Sequence, residues 1–272
     1  MCGIFGYVLK RPMEVAHALK VLQKLERLKY PNEPKPVGGY GAGIAVLTSS
    51  GNVLLEKVGK VDGSPAEHLA KTCRLDAASV LIGHVRLPSP CFMETAHFKE
   101  TAQPYVVRCF SGLTVVSAHN GNVTNYKTNY KFIRERLGGK HLFESERAEL
   151  IDSEAMPHLF EELLLEKDSP EEALNTLFSA IEGSNAVSIL QIGKEQMLLH
   201  LLHKGKTRGL TIWRNEKGEV IFCSRKEPII EVLGNVLNKD DFTEQVSISY
   251  REERDLSTTL KFKFEQFHGF AY

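Results

Sequence analysis

Cys2 stands directly after the initiator methionine, a position that gives a thiol unusual chemistry. Once Met1 is removed, a small residue such as Cys2 carries a nucleophilic side chain and a free α-amine together. That amine has an ordinary pKa of about 7.7–8.0, so it can act as general base for its own thiol, directly or through one water. The plainer reading is a buried cysteine at the start of a strand, and the N-terminus alone does not separate the two. A thiol attacking an amide also needs donors for the oxyanion that forms on the carbonyl. Asn120 offers a side-chain amide, and Gly121 offers a backbone N–H with no side chain in the way. Arg86 suits a carboxylate, onto which a guanidinium forks with two parallel bonds. Asp152 suits an ammonium. A substrate with an α-carboxylate, an α-ammonium and a side-chain amide is glutamine or asparagine. Singly, each residue has a bland explanation: a solvated loop charge for Arg86, a turn dipeptide for Asn120-Gly121, a helix start for Asp152. In conjunction with Cys2 they favour amide chemistry.

The elements around these residues follow from pattern. Residues 2–9 form a short apolar run and read as a buried strand. A helix is expected from Pro12 to about residue 29, where Val15, Leu19, Leu22, Leu25 and Leu28 fall near helical spacing. The prolines at 31, 34 and 36 end it. The glycines between Gly38 and Gly43 precede a strand rather than a helix and lack the spacing of a dinucleotide loop. Ser49-Ser50-Gly51-Asn52 reads as a hairpin turn, and Ser64-Pro65-Ala66-Glu67 as a capping box with a short helix. Strands are expected at 79–85, 105–110 and 113–118, with polar loops at Gly83–Arg86, Ala118–Asn122 and Ile151–Glu154 carrying the candidate residues. Helices follow at 129–137 (stopped by Gly138-Gly139), 153–167 and 170–181 (stopped by Gly183). The rest is strand-rich, at 186–192, 197–203, 210–214, 219–223, 246–250 and 258–267, with a helix at 227–236. Strands, then helices, then strands point to an α+β fold, and short turns favour antiparallel pairing. Two sheets face to face with helices outside would cover both faces of the long apolar strands. No linker or repeat divides residues 1–272, so a single domain is expected.

Composition excludes several classes. Of 272 residues, 42% are hydrophobic and 25% charged, with 34 basic and 34 acidic residues, which is ordinary globular composition. Zero net charge gives no footprint for nucleic acid. No apolar run reaches the ~20 residues of a membrane helix, and the N-terminus lacks the charged-then-apolar pattern of a signal peptide, so a cytoplasmic location is expected. The five cysteines are scattered without a C-x-x-C pair, arguing against disulfides or zinc. His200 and His203 lie three apart on a strand, facing opposite sides. Neither a metal nor an organic cofactor is implied.

Five segments together resemble the class II glutamine amidotransferases, the N-terminal-nucleophile family. They are Met1-Cys2-Gly3-Ile4-Phe5-Gly6, Gly83-His84-Val85-Arg86, Ala102-Gln103-Pro104, His119-Asn120-Gly121-Asn122-Val123-Thr124-Asn125 and Ile151-Asp152-Ser153-Glu154, in the family's order. The likeness is sharp over roughly the first 155 residues and looser beyond Gly183, including Cys223-Ser224-Arg225. It implies an αββα sandwich, with Cys2 as nucleophile, its α-amine as base, and Asn120 and Gly121 as the oxyanion hole. Arg86 would bind the α-carboxylate and Asp152 the α-ammonium of L-glutamine. Ser89 falls where the family has threonine. Pro88 and Pro90 depart from the pattern and remove backbone donors. The implied reaction is hydrolysis of glutamine to glutamate and ammonia through a Cys2 thioester. The length leaves no room for a second large domain, so a separate synthase taking the ammonia is expected, such as the partner in a split glutamate synthase, with a site weakly active or open until it docks. Alternatives are an N-terminal-cysteine hydrolase of γ-glutamyl or related amides, a glutamine-sensing regulatory subunit, and a purely structural module.

Overall fold

In the first strand, β1 (Gly3–Glu14), Phe5, Tyr7 and Leu9 point to one side and Ile4 and Val8 to the other, all buried. Burial on both faces requires a covering layer on each. A computed structural model describes residues 2–30, 32–110, 112–136, 141–237 and 241–267 and supplies those layers.

The elements run β1, α1 (Val15–Arg27), β2 (Ala42–Leu47), β3 (Val53–Val58), α2 (Pro65–Thr72), β4 (Ala77–Val85), β5 (Tyr105–Val107) and β6 (Thr114–Gly121). Then come α3 (Tyr126–Arg136), α4 (Asp152–Glu166), α5 (Pro170–Ala180), β7 (Asn185–Ile192), β8 (Gln196–Lys204), β9 (Leu210–Arg214), β10 (Val220–Cys223), α6 (Glu227–Leu233), β11 (Thr243–Ile248) and β12 (Leu256–Lys263). A seven-stranded sheet has the order β11-β9-β10-β1-β4-β2-β3, and a five-stranded sheet β12-β8-β7-β6-β5. Neighbouring strands in both are antiparallel.

Three cores define the layers. Ile4, Val8, Ile82 and Phe222 of the first sheet meet Val116, Leu190, Leu199 and Leu201 of the second. α1, α2 and α6 pack on the outer face of the first sheet, and α3, α4 and α5 on that of the second. The expected sandwich of two antiparallel sheets flanked by helices is therefore present. Among the described residues, no helix is long and apolar enough to cross a membrane.

Several local expectations need correction. Pro12 does not open a helix; it lies within β1, where the pairing with β4 shifts register between Val8 and Met13. An irregularity accommodates a residue that cannot donate to the ladder, and α1 begins only at Val15. His84 and Val85 belong to β4, and His119, Asn120 and Gly121 to β6, so these candidate positions stand on strand ends rather than loops. Gly183 is not the cap of α5, which Ile181 closes in extended conformation. A Cβ at Gly183 would stand 2.1 Å from the Asn122 carbonyl, so close passage of the chain requires glycine there. Of the capping box read at Ser64, the serine half forms, its hydroxyl accepting the Glu67 N–H at 3.1 Å, and Ser169 caps α5 in the same way, accepting the Glu172 N–H at 3.1 Å. His200 and His203 have separate partners, as their strand spacing implied. Met1 and Gly138-Gly139 lie outside the described residues.

Candidate active site

The nucleophile's strand lies inside its sheet, between β10 and β4, so Cys2 has a strand end on either side. Gly3 pairs with Val85, which brings Cys2 beside Arg86 and Leu87. Cys2 Sγ accepts the Leu87 N–H at 3.4 Å and lies 3.5 Å from the Leu87 carbonyl, to which the thiol donates. On the other side Ser224 follows β10. Its N–H donates to the Ile4 carbonyl at 2.9 Å, and its hydroxyl accepts the Ile4 N–H at 3.0 Å. The same hydroxyl accepts Asn120 Nδ2 at 3.3 Å, across from the second sheet. Ser224 thus ties the oxyanion candidate to the nucleophile's strand. Asn120 Oδ1 is buried with no hydrogen-bond partner among the described residues.

Arg86 is buried, and the hydroxyls and carbonyl of two consecutive 3-10 helical stretches, Pro90–His97 and Lys99–Thr101, hold it. Its Nη1 donates to the Thr95 carbonyl and to Thr101 Oγ1, and Nη2 donates to Thr95 Oγ1 at 2.8 Å. Three of its five N–H groups are so used, leaving two for a bidentate partner. Burial pushes the guanidinium pKa down, while Tyr105, Cys2 and Asp152 favour its charged form. Asp152 is also buried, at the start of α4. Its Oδ2 accepts the Val123 N–H at 3.0 Å, just past β6, and its Oδ1 the Ser153 N–H at 2.9 Å.

A buried polar network joins these pieces. Gln103 grips both peptide groups of His119: Oε1 accepts its N–H at 2.7 Å, and Nε2 donates to its carbonyl at 3.2 Å. His84 Nε2 donates to that carbonyl at 3.1 Å. The His119 ring lies 2.8 Å from Ser153 Oγ through Nδ1 and 2.9 Å from Asn185 Oδ1 through Nε2. Asn185 Oδ1 only accepts, so Nε2 carries the proton and Nδ1 accepts from Ser153. Burial lowers both histidine pKa values, well below the ordinary value for His84, where the neighbouring His119 ring adds to the effect; at His119 the Asp152 carboxylate and the Asn185 contact oppose it. A Cβ at Gly121 would meet the Ser184 carbonyl at 2.1 Å, so no larger residue fits there without backbone movement.

The fold therefore brings Cys2, Arg86 and Asn120 to one end of the sandwich, with Gly121 and Asp152 joined to them through His119 and Ser153. Ser89 is half-buried at the start of the 3-10 helical stretch Pro90–His97 and makes no side-chain cap bond there. Cys2, Arg86, Asn120 and Asp152 are each less than a tenth exposed. Two residues beside the candidate site escaped the sequence reading. Ser224 had only the looser likeness of its segment. Arg208 is paired with Glu33 at 3.0 Å and held charged in part by Cys2. A basic residue after an apolar strand carries no signal of which site it will reach.

No protein-family model matches the chain. Glutamine–fructose-6-phosphate aminotransferase (isomerizing) of Sulfurisphaera tokodaii is 31% identical over 202 residues, covering 72% of this chain and 29% of that protein. The enzyme of that name from Aeropyrum pernix is 31% identical over 209 residues, covering 75% and 29%. The chain thus matches less than a third of the length of these curated relatives. Among solved structures, the allosteric regulatory enzyme of purine biosynthesis superposes with a TM-score of 0.63 at 17% identity, over 97% of this chain and 49% of that one. Glutamine phosphoribosylpyrophosphate amidotransferase from B. subtilis gives 0.61 at 19%, again over 97% and 49%. These structural likenesses speak for the fold, and the sequence relatives for descent. The chain belongs to the class II, N-terminal-nucleophile family of glutamine amidotransferases.

Proposed function

We propose that residues 1–272 act as one glutaminase domain, hydrolysing L-glutamine to glutamate and ammonia through a γ-glutamyl thioester on Cys2. The observation that carries this reading is the gathering of the Cys2 thiol, the Asn120 amide and the buried Arg86 and Asp152 charges at one end of the sandwich. In the processed chain the Cys2 α-amine takes the thiol proton as sulfur attacks the side-chain amide carbon. Asn120 Nδ2 and the Gly121 N–H hold the oxyanion, and the proton passes to the leaving nitrogen, which departs as ammonia. Water, deprotonated by the same amine, then cleaves the thioester and restores the thiol. Arg86 takes the α-carboxylate with its two remaining N–H groups, and Asp152 takes the α-ammonium. Ser89 lies on the segment that follows Leu87 and serves the substrate's polar end.

Ammonia released this way serves a synthase unit, separate or joined. The curated relatives are named for fructose 6-phosphate, which brings a sugar phosphate forward as acceptor ahead of a glutamate synthase reaction. Capture of partners from native cells, followed by assay of the captured synthase with labelled glutamine, identifies the acceptor. For the glutaminase step, Cys2→Ala is expected to lower glutamine turnover by at least about a thousandfold with an unchanged circular dichroism spectrum. Substantial turnover in that variant, or retained Met1 in an active sample by intact mass, overturns the mechanism. Preference for γ-glutamyl peptides over glutamine would favour the related amide hydrolase instead.

A further inference from the structure

On the outer side of the second sheet, four potential metal ligands converge away from the nucleophile. They are Cys109, just after β5, His141, beyond α3, and His158 and Glu161 on α4. One ligand atom from each lies within 4.8 Å of all the others. His141 Nδ1 is 3.0 Å from both Cys109 Sγ and His158 Nδ1, and Sγ is 3.6 Å from His158 Nδ1. A tetrahedral zinc site with bonds of about 2.0–2.3 Å places its ligand atoms about 3.3–3.8 Å apart, so small side-chain rotations suffice.

The groups around this point are arranged for a cation. Glu161 Oε1 accepts the N–H groups of Cys109 and Phe110 at 2.9 and 3.3 Å, while its Oε2 is buried with no hydrogen-bond partner among the described residues. Glu161 is fully buried. His141 turns its other nitrogen, Nε2, to Glu162 Oε1 at 2.6 Å, the carboxylate-on-histidine contact that fixes a ligand's tautomer and raises its basicity. Two ring nitrogens and a sulfur converge within hydrogen-bond distance, a set of lone pairs of the kind that binds a cation.

We infer that Cys109, His141, His158 and Glu161 form a structural zinc site, with Glu162 orienting His141. One thiolate, two imidazoles and one carboxylate form a borderline-soft set that suits Zn²⁺ over Mg²⁺ or Ca²⁺. Four protein ligands close the coordination shell, so the role is structural. Binding deprotonates the Cys109 thiol, forms the zinc–sulfur bond and releases one proton to solvent; both imidazoles bind neutral and Glu161 binds ionised. Cys109 is only partly buried and provides the route of entry. The site ties the end of β5 and the chain at His141 to α4, whose first residue is Asp152. No motif announces the site, because the four residues span positions 109 to 161 without a metal-ligand spacing.

The test uses the full chain stripped of metal and titrated with Co²⁺. A cobalt–thiolate charge-transfer band should saturate at about one equivalent and be displaced by Zn²⁺. It should persist in Cys2→Ala and vanish in Cys109→Ser. Glu162→Gln should weaken zinc binding by about 10–100-fold. In the wild-type chain, zinc should protect Cys109 but not exposed Cys91 from alkylation, a readout that needs no variant. Absence of saturable binding, a band unchanged in Cys109→Ser, or alkylation of Cys109 unaffected by zinc overturns the proposal.

Discussion

Ser224 Oγ accepts two buried N–H groups, from the Ile4 backbone and from the Asn120 side chain. Ser224→Ala leaves both donors without that acceptor, at a cost of about 1–3 kcal/mol for an unsatisfied buried group. The catalytic consequence is larger than the stability loss, because Asn120 Nδ2 is the proposed oxyanion donor and a donor misplaced by a fraction of its bond length stabilises charge poorly. The variant is expected to lose kcat by roughly ten- to hundredfold with little change in KM for glutamine, and Ser224→Thr, which keeps the oxygen, should recover most of it. Steady-state kinetics check this; a rise in KM at unchanged kcat would place Ser224 in substrate binding instead. At this scale the sequence was informative where a residue type is rare for its place. Cys2 after Met1 stood out by its place, and Arg86, Asn120 and Asp152 gained a reading only in conjunction with it. Ser224 could not, since a serine after an apolar strand is commonplace and its partners lie 104 and 220 residues away. The zinc ligands were hidden for the same reason.

Elements were read well where periodicity was strong and poorly where a strand ran into polar residues. α1 and β4 stand close to their expected places, whereas β1 continues past Pro12 and β6 continues through His119-Asn120-Gly121. Pairing explains the extension of β6: His119, Asn120 and Gly121 lie in register with Val187, Ala186 and Asn185. A polar residue ordinarily marks a strand's end, but here the ladder carries the oxyanion candidates into the buried site. β8 shows the same tolerance at His200, which is fully buried between Gln191 of β7, Thr259 of β12 and the Phe160 ring of α4. Burial alone lowers its pKa to about 3. The unfolded chain, with an ordinary histidine pKa of about 6.5, binds more protons than the folded one between the two values. Stability from this group is therefore complete above about pH 6.5 and is lost as pH falls toward 3. Between pH 7 and 4.5 the loss is about 2–3 kcal/mol. Denaturant unfolding of wild type and His200→Gln across that range should show the variant's stability declining less steeply on acidification, and parallel profiles would show that His200 is protonated while folded.

For the whole molecule, the order of strands and helices along the chain implied the layers, but not which strand lies beside which. Pairing of β1 with β10 joins Phe5 to Cys223, a contact with no local signal. It has a consequence for cooperativity. Gly6 sits opposite Phe222, and a Cβ there would lie 2.4 Å from the Phe222 ring, so the ring fills the space left by the absent side chain. Phe222 also belongs to the core shared with the second sheet. The nucleophile's strand is thus held by the same apolar layer that binds the two sheets, and removing the ring weakens both attachments at once. Phe222→Ala is expected to cost about 3–5 kcal/mol, the lost transfer free energy plus the cavity, a large share of a typical total of about 5–15 kcal/mol. Trp213, the single tryptophan, lies on β9 and reports the first sheet, while far-UV ellipticity reports the helices on both outer faces. If the shared core couples the sheets, the two signals melt together in wild type and in Phe222→Ala, with the variant's midpoint lower and glutaminase activity lost along the same curve. Tryptophan fluorescence changing well before ellipticity would instead mean that the first sheet, carrying Cys2, opens on its own.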